Sequence, residues 1–331
     1  MIKEMQSRPK TIKLDLKDRK ILTLLDENAR YTNAQIAKRV GLSKPAVEYR
    51  ISRLKKNEAI FAFYTVINFT KLGYNQYKLY LKFQDTSIEK EKQISKYWFE
   101  SSNTVWIGNL RGKWDMAVSI LAHSNFEFGK ILSEFMSRFS SFILEKDVLL
   151  TEYSPIYARE YLTETKPSEF VYGVPSEIYS LSEIDKKILK NMSNSSRISI
   201  IDLADRTKLS RDIINYRIKK LQKENIIVQY RAYLNLPKIG IKLYKVILRM
   251  KNFSPAEEKN IKMYVEKHKQ ATQLLKLIGS YDLEIEFETE NENQLYEVLN
   301  ELRQKFSDVI RDLDIVRVTE TIKYDFFPFN I

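Results

Sequence analysis

The sequence predicts an α+β chain: two winged helix-turn-helix domains and two ferredoxin-like βαββαβ domains, arranged in tandem. Three observations predict it. A constant offset relates the first half of the chain to the second. Each half opens with three short stretches carrying helix-cap signals, and each then changes to period-two hydrophobic alternation.

The repeat is read directly. Asp18-Arg19-Lys20-Ile21-Leu22 matches Asp185-Lys186-Lys187-Ile188-Leu189, an offset of 185 − 18 = 167. The same offset pairs Arg30 with Arg197, Ala37 with Ala204, Ser43 with Ser210, and Tyr49-Arg50-Ile51 with Tyr216-Arg217-Ile218. It continues through Asn68 and Asn235, Gly73 and Gly240, and reaches Gly112-Lys113-Trp114-Asp115 against Gly279-Ser280-Tyr281-Asp282. Chance likeness between helices would lose register over such a span. The expected organisation is a basic tail (residues 1–13), winged helix-turn-helix 1 (14–66), ferredoxin-like domain 1 (67–162), a linker (163–179, with Pro167, Gly173 and Pro175), winged helix-turn-helix 2 (180–233) and ferredoxin-like domain 2 (234–331).

Within each helical module, Asp15-x-x-Asp18 and Ser182-x-x-Asp185 open the first helix, and Thr32-x-x-Gln35 and Ser199-x-x-Asp202 open the second. A tight turn follows, with Gly41 in copy one and Lys208 in copy two. Ser43 and Ser210 cap the third helix, in which Val47, Ile51 and Leu54 define the buried face. At 100° per residue, Pro45, Tyr49, Ser52, Arg53 and Lys56 point the other way, as do Asp212, Tyr216, Lys219, Lys220 and Lys223 in copy two. A short helix with a basic and aromatic outer face, set after a tight turn, suits major-groove docking.

In each α/β module, Tyr77, Leu79, Leu81 and Phe83 alternate with Lys78, Tyr80 and Lys82, and Tyr244, Val246, Leu248 and Met250 alternate in the same phase, predicting half-buried strands. A polar helix, two strands around the Gly-x-aromatic-Asp turns, an amphipathic helix and a last strand near 142–150 and 309–318 complete each unit. The ladder Glu284, Glu286, Glu288 reads as a solvated sheet face, with an assembly edge as the alternative, and the tail Phe326-Phe327-Pro328-Phe329 as packed on the sheet.

Charge supports a polyanion partner. Residues 1–60 hold 15 Lys+Arg against 7 Asp+Glu, and residues 180–232 hold 12 against 6, leaving the rest of the +12 chain at −2. The chain has no cysteine and only His123 and His268, which argues against disulfides, thiolate chemistry and metal sites. No catalytic constellation and no cofactor are expected. With no signal-like N-terminus and no membrane-length apolar run, a cytoplasmic location is expected.

The segment QIAKRVGLSKPAVEYRISRLKKNEAI resembles the helix-turn-helix of the leucine-responsive regulator family, Lrp/AsnC, and the G-x-[WY]-D turns resemble its effector and assembly domain. The resemblance covers nearly the whole chain twice, in tandem duplicated form, although the usual exit glycine of the third helix is replaced by Glu58 and Asn225. It implies a sequence-specific double-stranded DNA-binding transcription regulator. Carried onto this chain, the DNA-binding candidates are Ser43, Lys44, Pro45, Glu48, Tyr49, Arg50, Arg53 and Lys56, with Ser210, Arg211, Asp212, Asn215, Tyr216, Arg217, Lys220 and Lys223. Tyr49 and Tyr216 are read as base or sugar contacts, with packing against the neighbouring wing as the alternative. Arg53, Lys56, Lys220 and Lys223 are read as phosphate contacts, and Arg50 and Arg217 equally well as structural ion pairs. Pro45 against Asp212 and Glu48 against Asn215 differ between copies, so either the two heads prefer different half-sites or one head has drifted and binds only non-specifically.

The resemblance also implies an amino-acid effector near Gly112, Asp115, Gly279 and Asp282, where tight turns with structural carboxylates are the competing explanation. It implies self-association through the ferredoxin-like domains, within the chain or between chains. Two alternatives stand beside it: an architectural, chromatin-like DNA-binding protein, and a sirohaem-decarboxylase-like enzyme. The second would place His and Arg on segments 104–110 and 271–278, which contain neither.

Overall fold

The computed structural model describes residues 11–163, 170–173 and 177–329. Most of the expected basic tail and much of the expected linker lie outside these residues. Each half begins with three helices: α1 (Leu16–Glu27), α2 (Asn33–Val40) and α3 (Lys44–Lys56), then α6 (Glu183–Met192), α7 (Ile200–Thr207) and α8 (Arg211–Lys223). Their starts follow the cap signals. Asp15, Thr32 and Ser182 form reciprocal capping boxes with Asp18, Gln35 and Asp185, and Ser43, Ser199 and Ser210 each accept a backbone N–H from the first turn of their helix. Both turns before the third helix are left-handed, Gly41 at φ 65° and Lys208 at φ 59°. The turn geometry therefore survives loss of the glycine. Glu58 (φ 59°) and Asn225 (φ 53°) likewise hold the left-handed exit of α3 and α8.

The wing is shared between the heads. Strand β1 (Ile60–Ile67) of copy one pairs antiparallel with β7 (Ile227–Leu234) of copy two, one strand from each head, and the helices of both pack into one continuous apolar core.

The α/β units follow as β2 (Asn75–Phe83), α4 (Ile88–Glu100), β3 (Thr104–Gly112), β4 (Met116–Ala122), α5 (Asn125–Phe139) and β5 (Ile143–Ile156), then β8 (Lys242–Met250), α9 (Pro255–Lys267), β9 (Ala271–Ile278), β10 (Leu283–Thr289), α10 (Glu292–Lys305) and β11 (Ile310–Tyr324). Both are βαββαβ, with sheet orders β5-β2-β4-β3 and β11-β8-β10-β9. The edge strands do not end the sheets. β3 pairs with β11, and β5 pairs with β9, so eight strands close into a barrel made half from each repeat. Closure pairs the edge strands of the two sheets with each other, and the short strand β6 (Phe170–Tyr172), inside the expected linker, adds to the end of β5. It also explains why β5 and β11 run well past the expected ends near 150 and 318, since each serves its own sheet and its neighbour's.

Closure changes two expectations. Lys78 and Lys245 are 2 % and 1 % exposed rather than solvated, because the second face of β2 and β8 lines the barrel interior. The acidic ladder is likewise no solvated face: Glu284 and Glu288 are buried among the inward side chains of both repeats. The Phe326–Phe329 tail packs with the heads' core instead of the sheet alone; Phe326 stacks on Tyr64 (5.6 Å, 11°) and Phe329 on Tyr74 (4.4 Å, 17°).

Candidate nucleic-acid interface

The third helices present the faces that their periodicity assigns. Val47, Ile51 and Leu54 are buried, as are Ile214, Ile218 and Leu221 in α8. On the other side Tyr49 and Tyr216 are 68 % and 64 % exposed at equivalent positions. Lys44, Pro45, Glu48 and Lys56 are exposed beside Tyr49; Arg211, Asp212, Asn215 and Lys223 are exposed beside Tyr216.

The arginines behave differently from the lysines. Arg50 donates to Asp15 and Asp18, both at 2.7 Å, and Arg53 donates to Asp18 at 2.5 Å. The hydrogen bonds that Arg50 donates to Asp15 and Asp18 hold it above the usual guanidinium range. Arg217 donates to Asp185 at 2.9 Å. These three tie the recognition helix to the start of the first helix. Arg53, read from the sequence as a phosphate contact, makes this ion pair while its side chain stays 37 % exposed. Its copy-two counterpart, Lys220, lies over the Tyr179 ring at 5.9 Å, and Asp185 Oδ1 is left without a partner. Ser43 and Ser210 spend their hydroxyl oxygens as caps.

The heads are locked by residues that the repeat aligns but whose role it does not reveal. Arg30 donates to the carbonyls of Ser196 (2.6 Å) and Ile198 (3.3 Å). Arg197 donates reciprocally to those of Ala29 (2.5 Å) and Tyr31 (2.9 Å). A second lock joins heads to barrel. Asp26 at the end of α1 accepts two bonds from Arg231 of β7 (3.0 and 2.6 Å) and one from Arg159 (2.5 Å), while Arg159 grips Glu288 of β10 at 2.8 and 3.0 Å. Burial pushes the Asp26 carboxyl up, but the two guanidiniums overcome it and hold it below the ordinary range. The spacing of the two recognition helices is therefore set by folded structure, not by a tether.

The four turn residues have internal roles. A Cβ on Gly112 (φ 130°) would sit 2.6 Å from the Ile315 carbonyl oxygen, and one on Gly279 (φ 149°) 2.6 Å from Leu149 Cδ2. Both glycines thus permit close approach of one repeat to the other. Asp115 accepts from the Phe83 N–H (2.9 Å) and Lys82 (3.1 Å), and Asp282 accepts from the Met250 N–H (2.7 Å). Trp114 and Tyr281, buried between them, plug that end of the barrel.

At the barrel centre lies a charge network. Glu284 accepts from Lys78 (2.5 and 2.6 Å), Lys245 (2.7 Å) and the Tyr80 hydroxyl (2.6 Å), and Lys245 also pairs with Glu286. Burial raises Glu284, yet Lys245 and Lys78 outweigh it and hold it at about 2. Neither histidine belongs to this interior. His123 stacks on Tyr74 and hydrogen-bonds to the Gly73 carbonyl oxygen, and His268 packs against Phe287 and Tyr264. Among the described residues no cluster of His, Cys, Asp and Glu is arranged to hold a metal ion, and no helix is long and apolar enough to cross a membrane.

A winged helix-turn-helix DNA-binding family model matches residues 14–60 and 181–228, the two heads. The chain is 33 % identical over 111 residues to the HTH-type transcriptional regulator Rv2324 of Mycobacterium tuberculosis, covering 34 % of this chain and 74 % of that protein. It is 26 % identical over 144 residues to the HTH-type transcriptional regulator FL11 of Pyrococcus abyssi, covering 43 % of this chain and 88 % of that one. Each match spans most of the relative and less than half of this chain, as one repeat would. The siroheme decarboxylase NirDL superposes over 95 % of this chain and 94 % of its own, with a TM-score of 0.64 at 10 % identity. That likeness extends to both halves and concerns the fold alone.

Proposed function

The chain belongs to the Lrp/AsnC family of helix-turn-helix transcription regulators, in tandem-duplicated form, and from that premise we propose that it reads an asymmetric double-stranded DNA site through two unlike recognition helices held as a fixed pair within one chain. The observation that carries the reading is the exposure of Tyr49 and Tyr216 on equivalent faces of α3 and α8, each flanked by basic residues and by neighbours that differ between copies. Lys44, Lys56, Arg211 and Lys223 supply phosphate contacts that position the helices, while Tyr49, Glu48, Asn215 and Tyr216 meet the groove floor. Arg50, Arg53 and Arg217 act indirectly, by fixing the helix on its own head. The barrel takes the place that pairing between two chains would otherwise fill, and no reaction is assigned to it.

The test is selection of bound duplexes from random DNA by the full chain, repeated across a salt series. Two distinct half-sites at constant spacing are expected, and the Tyr49→Ala/Tyr216→Ala chain should lose that preference while keeping its salt-dependent affinity. Binding that falls steeply with salt and yields no motif would replace this reading with an architectural one. Absence of binding would remove the DNA function.

A further inference from the structure

The repeats are related by a pseudo-twofold, but the side chains at equivalent places are not. Asp26, Arg231, Arg159 and Glu288 form the ionic lock described above. Their counterparts at the 167-residue offset are Ser193, Tyr64, Phe326 and Leu121. There, Tyr64 stacks on Phe326, with Tyr324 edge-on to both (5.0 and 5.2 Å) and Tyr233 beside it at 5.3 Å. Duplication has thus produced one ionic wall and one aromatic wall facing a common space.

That space is a cavity of about 610 Å³ between the shared wing and the end of the barrel opposite Trp114 and Tyr281, lined by both walls. It lies within the size range of small-molecule sites. Three features describe what it would take. The aromatic wall offers flat faces to a ring. The carboxamide of Gln76, on β2, is 7 % exposed, lines the cavity, and has its Oε1 without a hydrogen-bond partner; its twofold counterpart is Leu243, so the polar demand falls on one side only. The buried cations that line it are already paired, Lys78 with Glu284, Lys245 with Glu284 and Glu286, and Arg159 with Asp26 and Glu288, whereas the other two lining cations are solvated, Lys242 beside the exposed Glu292 and Arg317 on the exposed face of β11. A ligand with net charge would therefore find no free counter-charge among the buried side chains.

We propose that this cavity binds a small, uncharged heteroaromatic molecule of the nucleobase or nucleoside class, its ring against the Tyr64–Phe326 wall and its amide-like edge on Gln76. A carboxamide meets the adjacent donor and acceptor of such an edge with two hydrogen bonds, and aromatic side chains take the ring without regard to its substituents. The occupant would touch Tyr64 and Tyr233 of the wing strands together with Tyr324 at the end of β11 and Phe326 just beyond it, so binding would stiffen the seating of the heads. Control of DNA binding by this route rests on the function proposed above; ligand binding itself does not.

The experiment is titration calorimetry of the full chain, without DNA, using adenine, adenosine, AMP, L-tryptophan and L-leucine as probes. Adenine or adenosine should bind, with AMP at least tenfold weaker. Gln76→Leu should abolish that binding while keeping the tryptophan fluorescence of the folded barrel, because it replaces an unsatisfied polar group with the residue found at the twofold position. Leu243→Trp, which fills the cavity from the opposite repeat, should abolish it too. Binding of L-tryptophan or L-leucine in place of the bases would overturn the assigned class. No binding by any probe, or binding untouched by both variants, would overturn the site. Base binding by a chain that selects no DNA would leave the site standing and sink the function proposed above.

Discussion

Replacing Glu284 by glutamine keeps the shape of the barrel centre and removes one negative charge from it. In the native chain Lys78 and Lys245 balance Glu284 and Glu286, and the first three side chains are at most 3 % exposed. In Glu284→Gln two buried ammonium groups face one carboxylate. Removing one partner of a buried ion pair costs about 3–5 kcal/mol, because the remaining charge is stranded in a medium that solvates it poorly. That is a large part of the roughly 5–15 kcal/mol by which domains are stable. The double variant Lys78→Met/Glu284→Gln restores the balance, leaving Lys245 with Glu286, and should recover most of the loss, a coupling of about 3 kcal/mol. Urea unfolding followed by tryptophan fluorescence reads the event, since all three tryptophans, Trp98, Trp106 and Trp114, lie in the first α/β unit. A loss below about 1 kcal/mol for the single variant, or a double variant no better than it, would refute the idea that net charge inside the barrel is what matters. The same arithmetic specifies the pairing of unlike repeats. Two copies of the first sheet would bury two Lys78 side chains against Ala117 and Ser119, whereas two of the second would bury a doubled Glu284–Glu286–Glu288 ladder with two lysines.

Further outcomes follow from other positions. Glu284 titrates near 2 when folded and near 4.5 otherwise, so below pH 4.5 the unfolded chain takes up a proton that the folded one refuses. Stability carried by this group is complete above pH 4.5 and falls as pH drops toward 2; Glu284→Gln should show a shallower acid slope in that window. Lys208→Gly relieves a lysine held at φ 59° and should raise the urea midpoint by the equivalent of about 1 kcal/mol. Gly112→Ala sets a methyl 2.6 Å from the Ile315 carbonyl oxygen in a backbone conformation that disfavours side chains, and should cost about 2–3 kcal/mol. The loss should appear in hydrogen exchange as faster opening of the β3–β11 ladder.

The sequence by itself determined the local and repeated features of this protein. The capping boxes at Asp15 and Ser182, the apolar faces of α3 and α8, the βαββαβ order and the 167-residue register are short-range signals, and short-range physics places them. The outward position of Tyr49 and Tyr216 belongs to the same class, since helix period alone directs a side chain. Alternation along β2 and β8 revealed only one of two buried faces. A polar residue at every second position is the pattern of a solvated face and equally of a charged interior, and only the partner strand distinguishes them. Lys78, Glu284 and Glu288 were therefore illegible until the fold brought residues 206 and 129 positions apart within hydrogen-bond reach. The ion pairs of Arg53 and Arg30, and the exchange of an ionic lock for an aromatic stack across the pseudo-twofold, were decided in the same way. Each depends on which surfaces meet, and that is set by the packing of one repeat on the other, where desolvation and geometry, rather than residue type, fix what a charged side chain does.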